Sequence, residues 1–344
     1  MRALRALIFL FLGAFLTVPA GPLAEVESPP PAASKPIGRD APPPAAKKPS
    51  AEDEELARLL AGRYVQEVSV DLVMVPAVVL DRRGRPVLDL RREDFALFDE
   101  GRREKIDYFG VERAEPLSIA FLLDVSGSMR MSGAIDEARE VVRYFLARMG
   151  QRDEVSLIAF ADRQVAQLTD FTADRGETMK YLEAVKAYGQ TALNDAVAAT
   201  PDLVRGSSRG RRAIVLLTDG VDNHSALTID AATRAAQSVE MPFYTIGFSR
   251  TSREVTGSQS PETPAAASLR QIAEATGGKF FLIHDPDEMK EAVARMEEEL
   301  RSQYVIGYEP DAAPQSGRYR RIALVADGGR YSVRARSGYI AGSH

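Results

Sequence analysis

The sequence predicts an α/β fold: a doubly wound, mainly parallel sheet flanked by small all-β segments on both sides. Three observations predict it. Between Leu117 and Leu300, short continuous apolar runs alternate with amphipathic stretches, the rhythm of strands buried on both faces and of helices that cover them. Before that region and again after it, apolar residues recur at every second position, the period of a strand with one wet face. A chain of 344 residues with 45% hydrophobic content is long enough to bury a sizeable core.

Taken in order, residues 1–20 read as an export leader. Arg2 and Arg5 precede the apolar run Ala6–Val18, and Val18-Pro19-Ala20 offers small residues where a signal peptidase cuts. An uncleaved membrane anchor is the alternative, disfavoured because the run falls short of the roughly 20 residues a span prefers. Residues 21–63 are a linker, since repeated Pro and Ala (Ser28-Pro29-Pro30-Pro31, Ala41-Pro42-Pro43-Pro44) favour extended, solvated chain.

Residues 64–113 are expected to form an N-terminal β unit. Val68, Val70, Leu72 and Met74 fall on one face, and a second strand, Val75–Leu80, closes at the turn Asp81–Pro86. Further strand-like stretches are Phe95–Gly101, broken by its glycine, and Lys105–Phe109. Residues 114–300 form the α/β domain, with strands at Leu117–Leu123, Val155–Phe160, Ala213–Leu217, Phe243–Phe248 and Lys279–Ile283. Between them helices are expected at Ala134–Met149, Glu177–Tyr188, Asn194–Leu203, Ile229–Val239, Ala266–Ala275 and Asp287–Leu300. Residues 301–344 return to strands: Gln303–Tyr308, Tyr319–Val325 and Tyr331–Arg336. Each β flank is small for an independent core, so the two are expected to pair into one β-sandwich with the α/β domain inserted between them.

Composition removes several functions. The net charge is −5 and no basic run of five or six residues occurs, so the electrostatic footprint of a nucleic-acid binder is missing. With no cysteine, disulfides and thiolate metal sites are excluded, and three histidines (His224, His284, His344) argue against a histidine-rich zinc centre. A metal here would be a hard cation held by oxygen.

Ligands of an open parallel sheet bind beyond the carboxyl ends of its strands, where loops converge. The strand from Leu117 runs into Asp124-Val125-Ser126-Gly127-Ser128, which sets one carboxylate and two hydroxyls at i, i+2 and i+4 in a loop that Gly127 allows to curl tightly. The strand from Ala213 runs into Thr218-Asp219-Gly220, a second carboxylate. Thr191 adds a third hydroxyl just before a helix. Asp124, Ser126, Ser128, Thr191 and Asp219 together suit one divalent cation, Mg²⁺ first, with Mn²⁺ or Ca²⁺ as alternatives. A shell rich in neutral hydroxyls leaves such an ion net positive and able to attract an outside carboxylate, which is chemistry for binding.

These five positions resemble the metal-ion-dependent adhesion site of von Willebrand factor A domains and integrin inserted domains, and the resemblance covers about residues 117–300. It implies direct coordination by Ser126, Ser128 and Thr191, direct or water-mediated coordination by Asp124 and Asp219, and a partner protein's acidic side chain completing the shell. Asp94-Phe95, Asp99-Glu100-Gly101 and Gln303–Tyr308 are further similar to bacterial secreted proteins of the VWFA-related type, described mainly from acidobacteria, a resemblance that fits a secreted or periplasmic protein and brings no established activity with it; the expectation is a binding protein and not an enzyme.

Competing readings are a metal-dependent hydrolase, disfavoured by the lack of a well-placed histidine base or a second-metal carboxylate cluster, and a scaffold with a vestigial site. Capping or turn duty is the bland account of the Asp124–Ser128 loop and of Thr191. Asp195, Asp222 and Asn223 are assigned helix-surface and turn duties. Gly206-Ser207-Ser208-Arg209-Gly210 has the letters of a hydrolase elbow, but its strand follows the serine instead of preceding it, so it reads as a loop. Asn223-His224-Ser225 is a formal glycosylation sequon and receives no role. Ser249–Pro264 reads as a long surface loop, with a recognition insertion as the alternative, and Phe280, Phe281 and Tyr304 as core.

Overall fold

The computed structural model describes residues 72–112, 115–207, 211–249, 262–310 and 317–342. The expected leader and linker lie outside the described residues, as do residues 208–210 of the hydrolase-like loop and 250–261 of the long surface loop. No helix among the described residues is long and apolar enough to cross a membrane.

The α/β domain is built on a six-stranded sheet in the order β10-β9-β8-β5-β6-β7. Its members are β5 (Leu117–Asp124), β6 (Glu154–Ala161), β7 (Gln164–Thr172), β8 (Arg211–Thr218), β9 (Phe243–Phe248) and β10 (Phe280–Ile283). All neighbours are parallel except β6 and β7. The continuous apolar runs are explained by burial on both faces. Leu117, Ile119, Phe121 and Leu123 of β5 pack against α2 (Ala134–Arg148) and α7 (Pro286–Leu300), while Ala120 and Leu122 face α4 (Leu193–Leu203), α5 (Ile229–Ala236) and α6 (Pro264–Thr276). Among the described residues there are two further helices, α1 (Gly127–Ser132) and α3 (Arg175–Ala184).

The two β flanks pair with each other. One sheet runs β13-β1-β11-β4, with β1 (Val73–Leu80) antiparallel to both β11 (Gln303–Tyr308) and β13 (Ser332–Ala335), and β4 (Tyr108–Glu112) on the far side of β11. The other runs β14-β12-β2-β3, pairing β12 (Tyr319–Ala326) with β2 (Phe95–Asp99), with β14 (Gly338–Ile340) and β3 (Arg102–Glu104) at its edges. Their inner faces share a core of Val75, Val79, Phe95, Leu97, Tyr304, Ile306 and Ile322. Inside it Asp99 is fully buried. Its carboxylate accepts hydrogen bonds from Tyr308 Oη at 2.8 Å and from Arg320 Nε at 2.9 Å, joining β2 of one flank to β11 and β12 of the other.

The α/β domain leaves and rejoins the sandwich at paired strands, since Tyr304 of β11 sits opposite Val111 of β4. Asp153 fastens that junction: its carboxylate accepts the N–H of Leu117 at 2.9 Å, the N–H of Gly150 at 2.7 Å and the guanidinium of Arg301 at 2.7 Å. Burial alone would raise its pKa, but the three donors outweigh burial and hold it below the usual aspartate value. A second fastening is the buried Glu299 of α7, which pairs with Arg334 of β13 at 2.5 Å.

Four expectations need correction. Residues 73–80 form one strand, buried at Val73, Val75, Ala77 and Val79 along its whole length and also at Val78 and Leu80 in its second half, so Leu72 and Met74 belong to the less buried phase. The partners β11 and β13 set that phase, and it is invisible locally. The strand β7 went unread because it is an antiparallel edge strand with mostly half-exposed residues and no continuous apolar run. The helix expected at Glu177–Tyr188 is Arg175–Ala184, since Asp174 caps it by accepting the N–H groups of Gly176 and Glu177. Phe280 and Phe281 are only partly buried, because β10 is the other edge of the sheet, whereas Tyr304 is wholly buried against Phe95 and Phe109.

Candidate functional site

Loops meet at the carboxyl edge of the sheet as the parallel topology requires. Asp124 is the last residue of β5, Ser126 immediately precedes α1, Ser128 is the second residue of α1, Thr191 precedes α4 by two positions and Asp219 directly follows β8. Backbone hydrogen bonds lace the loops together. Gly127 N–H donates to Gly189 O at 2.9 Å and Tyr188 N–H to Val125 O at 2.8 Å, which draws the Thr191 loop against the Asp124–Ser128 loop. Asn223 and His224 N–H groups donate to Thr191 O at 3.1 and 3.0 Å, and Thr191 N–H donates to Asn223 Oδ1 at 3.0 Å, tying in the loop that follows Asp219.

Gly127 is required for a reason other than curling. Its φ is not left-handed; a Cβ there would stand 3.1 Å from Gly189 O, so the glycine permits the close approach of two loops. Gly189 does take a left-handed φ of +70°, and a Cβ on it would lie 2.3 Å from Asp162 Oδ2.

The hydroxyls are not spent on capping. Ser126 occupies the N-cap position of α1, yet its side chain makes no capping bond; its Oγ lies 3.0 Å from Ser128 Oγ. The N-cap of α4 is Ala192, not Thr191. Thr191 Oγ1 is buried with no hydrogen-bond partner, an arrangement that costs about 1–3 kcal/mol unless something accepts or coordinates it. Asp219 is half-buried, and its Oδ1 lies 3.4 Å from Val221 N, a weak contact that leaves the carboxylate available.

Asp124 is held most firmly. Its Oδ1 accepts Ser126 N–H at 2.8 Å and its Oδ2 accepts the Thr218 hydroxyl at 2.6 Å, while Thr218 Oγ1 in turn accepts Gly220 N–H at 2.9 Å. Burial pushes its carboxyl up to about 6, the Thr218 and Ser126 hydrogen bonds pull it down, and the neighbouring Asp219 charge adds to the rise. Added positive charge would relieve that repulsion. Among the described residues no three His, Asp or Glu side chains converge, so a metal ion here would draw on hydroxyl oxygens as well as on these two carboxylates. The donor set fits a hard divalent cation: two carboxylates, two hydroxyls 3.0 Å apart and one buried, unpartnered hydroxyl.

Sequence reasoning overlooked Thr218, whose hydroxyl crosses from β8 to Asp124, and Asp162, whose Oδ1 accepts Gln190 N–H at 2.7 Å and shapes the Thr191 loop. The position of Thr218, last in an apolar strand and just before Asp219, was the available signal. Asp195 and Asp222 are indeed engaged by backbone. Asp222 accepts Asn194 N–H at 2.9 Å and Asp195 accepts Leu227 N–H at 2.9 Å, so these carboxylates stitch loops.

A sequence profile of the von Willebrand factor type A domain matches residues 118–295. The chain belongs to that family. An uncharacterized protein of Borreliella burgdorferi is 25% identical to it over 185 residues, which is 48% of this chain and 54% of that protein. The chain thus spans about half the length of that curated relative. A von Willebrand factor type A structure from Catenulispora acidiphila aligns with a TM-score of 0.46 at 15% identity, over 71% of this chain and 76% of that one. Proximal thread matrix protein 1 of the mussel byssus, with a zinc-occupied MIDAS motif, aligns with a TM-score of 0.45 at 15% identity, over 59% of this chain and 49% of its own. Both are likenesses of fold. In this chain the type A domain is the inserted α/β domain, and its β5, α1 and β8 carry the Asp124–Ser128 and Asp219 positions.

Proposed function

We propose that this type A domain is a binding module of an exported protein, one that holds a single divalent cation and uses it to capture an acidic side chain of a protein partner. Ser126, Ser128 and Thr191 would hold the ion with Asp124 and Asp219. The observation that carries the reading is the Thr191 hydroxyl, buried, unpartnered and on the loop laced to the Asp124–Ser128 loop. Bound there, a cation such as Mg²⁺, ligated in large part by neutral hydroxyls, would keep a coordination position at the sheet edge that an outside carboxylate can fill. The chain's own residues do the rest: Thr218 and the Ser126 N–H orient Asp124, and the Asn223 side chain fixes the backbone of Thr191. Export rests on the N-terminal leader pattern, and no nucleic acid is implicated by the charge distribution.

Calorimetric titration of Mg²⁺ and Mn²⁺ into the wild type, Ser126→Ala and Asp219→Ala tests the site. Binding that weakens at least tenfold in both variants supports it; unchanged heats in both would overturn it.

A further inference from the structure

Each of the three segments that supply the candidate site also carries an exposed apolar side chain. Met131 on α1 is 81% exposed, Tyr188 on the Thr191 loop 49% and Val221 two residues after Asp219 52%. Water contact over so much apolar surface is unfavourable, and here it falls on one short helix and two loops that backbone hydrogen bonds from Gly127 to Gly189 and from Asn223 and His224 to Thr191 bring together. Tyr188 is bonded to Val125, five residues before Arg130 on the same stretch of chain, and Asn223 and His224, in the loop of Val221, are bonded to Thr191.

The charge of the rim is selective. Asp162, Asp195 and Asp222 are taken up by backbone N–H groups of Gln190, of Ala226 and Leu227, and of Asn194, His224 and Ser225. Arg130, next to Met131, is exposed, and so is Arg163, whose Nε lies 3.5 Å from His224 O. Exposed guanidinium groups beside an apolar rim complement an acidic partner and favour its approach.

We propose that Met131, Tyr188 and Val221 form a specificity surface that selects a protein segment in which the captured carboxylate is flanked by an aromatic or branched apolar side chain. This inference rests on the carboxylate-capturing reading of the site. A carboxylate alone gains only the charge interaction; one with an apolar neighbour also covers the rim, and that second gain separates partners of equal charge.

Small acids serve as probes of the full chain. Acetate, 3-phenylpropionate and the uncharged 3-phenyl-1-propanol are titrated against Mg²⁺-loaded protein by NMR chemical-shift changes, with Mg²⁺ affinity followed separately by calorimetry. The expected result is 3-phenylpropionate binding about tenfold more tightly than acetate, and the alcohol not binding. In the Met131→Ser/Tyr188→Ser/Val221→Ser variant the preference falls to about twofold or less, with Mg²⁺ and acetate affinities unchanged. The single variants Met131→Ser and Val221→Ser give the same readout if the triple variant folds poorly. Equal affinity for the two acids, or a preference that survives in the variants, overturns the specificity surface while leaving the metal site standing. Absence of any Mg²⁺ heat overturns the site reading and this inference with it.

Discussion

Replacing Thr218 by valine separates a polar role from a packing role at the centre of the site. The side chain is fully buried, and valine keeps its shape while deleting the hydroxyl that donates to Asp124 Oδ2 at 2.6 Å and accepts Gly220 N–H at 2.9 Å. A hydrogen bond to a charged group contributes about 1.5–3 kcal/mol, and a stranded buried N–H costs about 1 kcal/mol more. The variant should therefore lose about 2.5–4 kcal/mol. For a domain of this size, each kcal/mol corresponds to about 2 °C, so the melting temperature should fall by about 5–8 °C in the presence of chelator. Thr218→Ser, which keeps both bonds at the expense of one methyl group, should fall by much less. Urea denaturation and thermal melts in EDTA measure both. A Thr218→Val protein as stable as wild type, or a Thr218→Ser protein just as destabilised as Thr218→Val, would refute the claim that this hydroxyl anchors Asp124.

Thr191→Val should separate metal affinity from stability: removing a hydroxyl that lacks a partner should leave the chelated protein equally stable or stabilised by about 1 kcal/mol, while Mg²⁺ affinity measured by calorimetry drops at least tenfold. Asp153 has a folded pKa below its unfolded value of about 3.9, so its contribution is fully present above about pH 4 and is lost as the pH falls through the lower folded value. Asp153→Asn should accordingly be less stable than wild type at pH 7 and show a flatter loss below pH 4 in urea titrations. Asp99→Ala removes the partner of the half-buried Arg320 guanidinium and strands two buried tyrosine hydroxyls inside the sandwich, and should cost about 3 kcal/mol, seen as a lower urea midpoint.

Elements of the α/β domain were legible where burial leaves a local mark. The strand β9 spans Phe243–Phe248, the bounds that its apolar run suggests, because both faces of an inner strand demand apolar residues. The site's residue types were legible for a related reason: polar side chains directly after such runs must lie at the sheet edge, as Asp124 after Leu123 and Asp219 after Thr218 do. Edge strands were harder. In β7 one wet face dilutes the pattern, and in β10 Leu282 is 41% exposed.

By itself, then, the sequence determined the α/β rhythm, the flanking strand segments and the hydroxyl-rich loops, since each is written in residues adjacent along the chain. Only the tertiary structure decided that β1 is buried on one face in its first half and on both in its second, because that depends on β11 and β13 from the far end of the chain. It also decided which hydroxyls stay free: Thr218 is consumed by Asp124, while Thr191, of the same residue type and equally buried, has no partner. Composition and spacing treat two threonines alike; the hydrogen-bond partners that fold in around them do not.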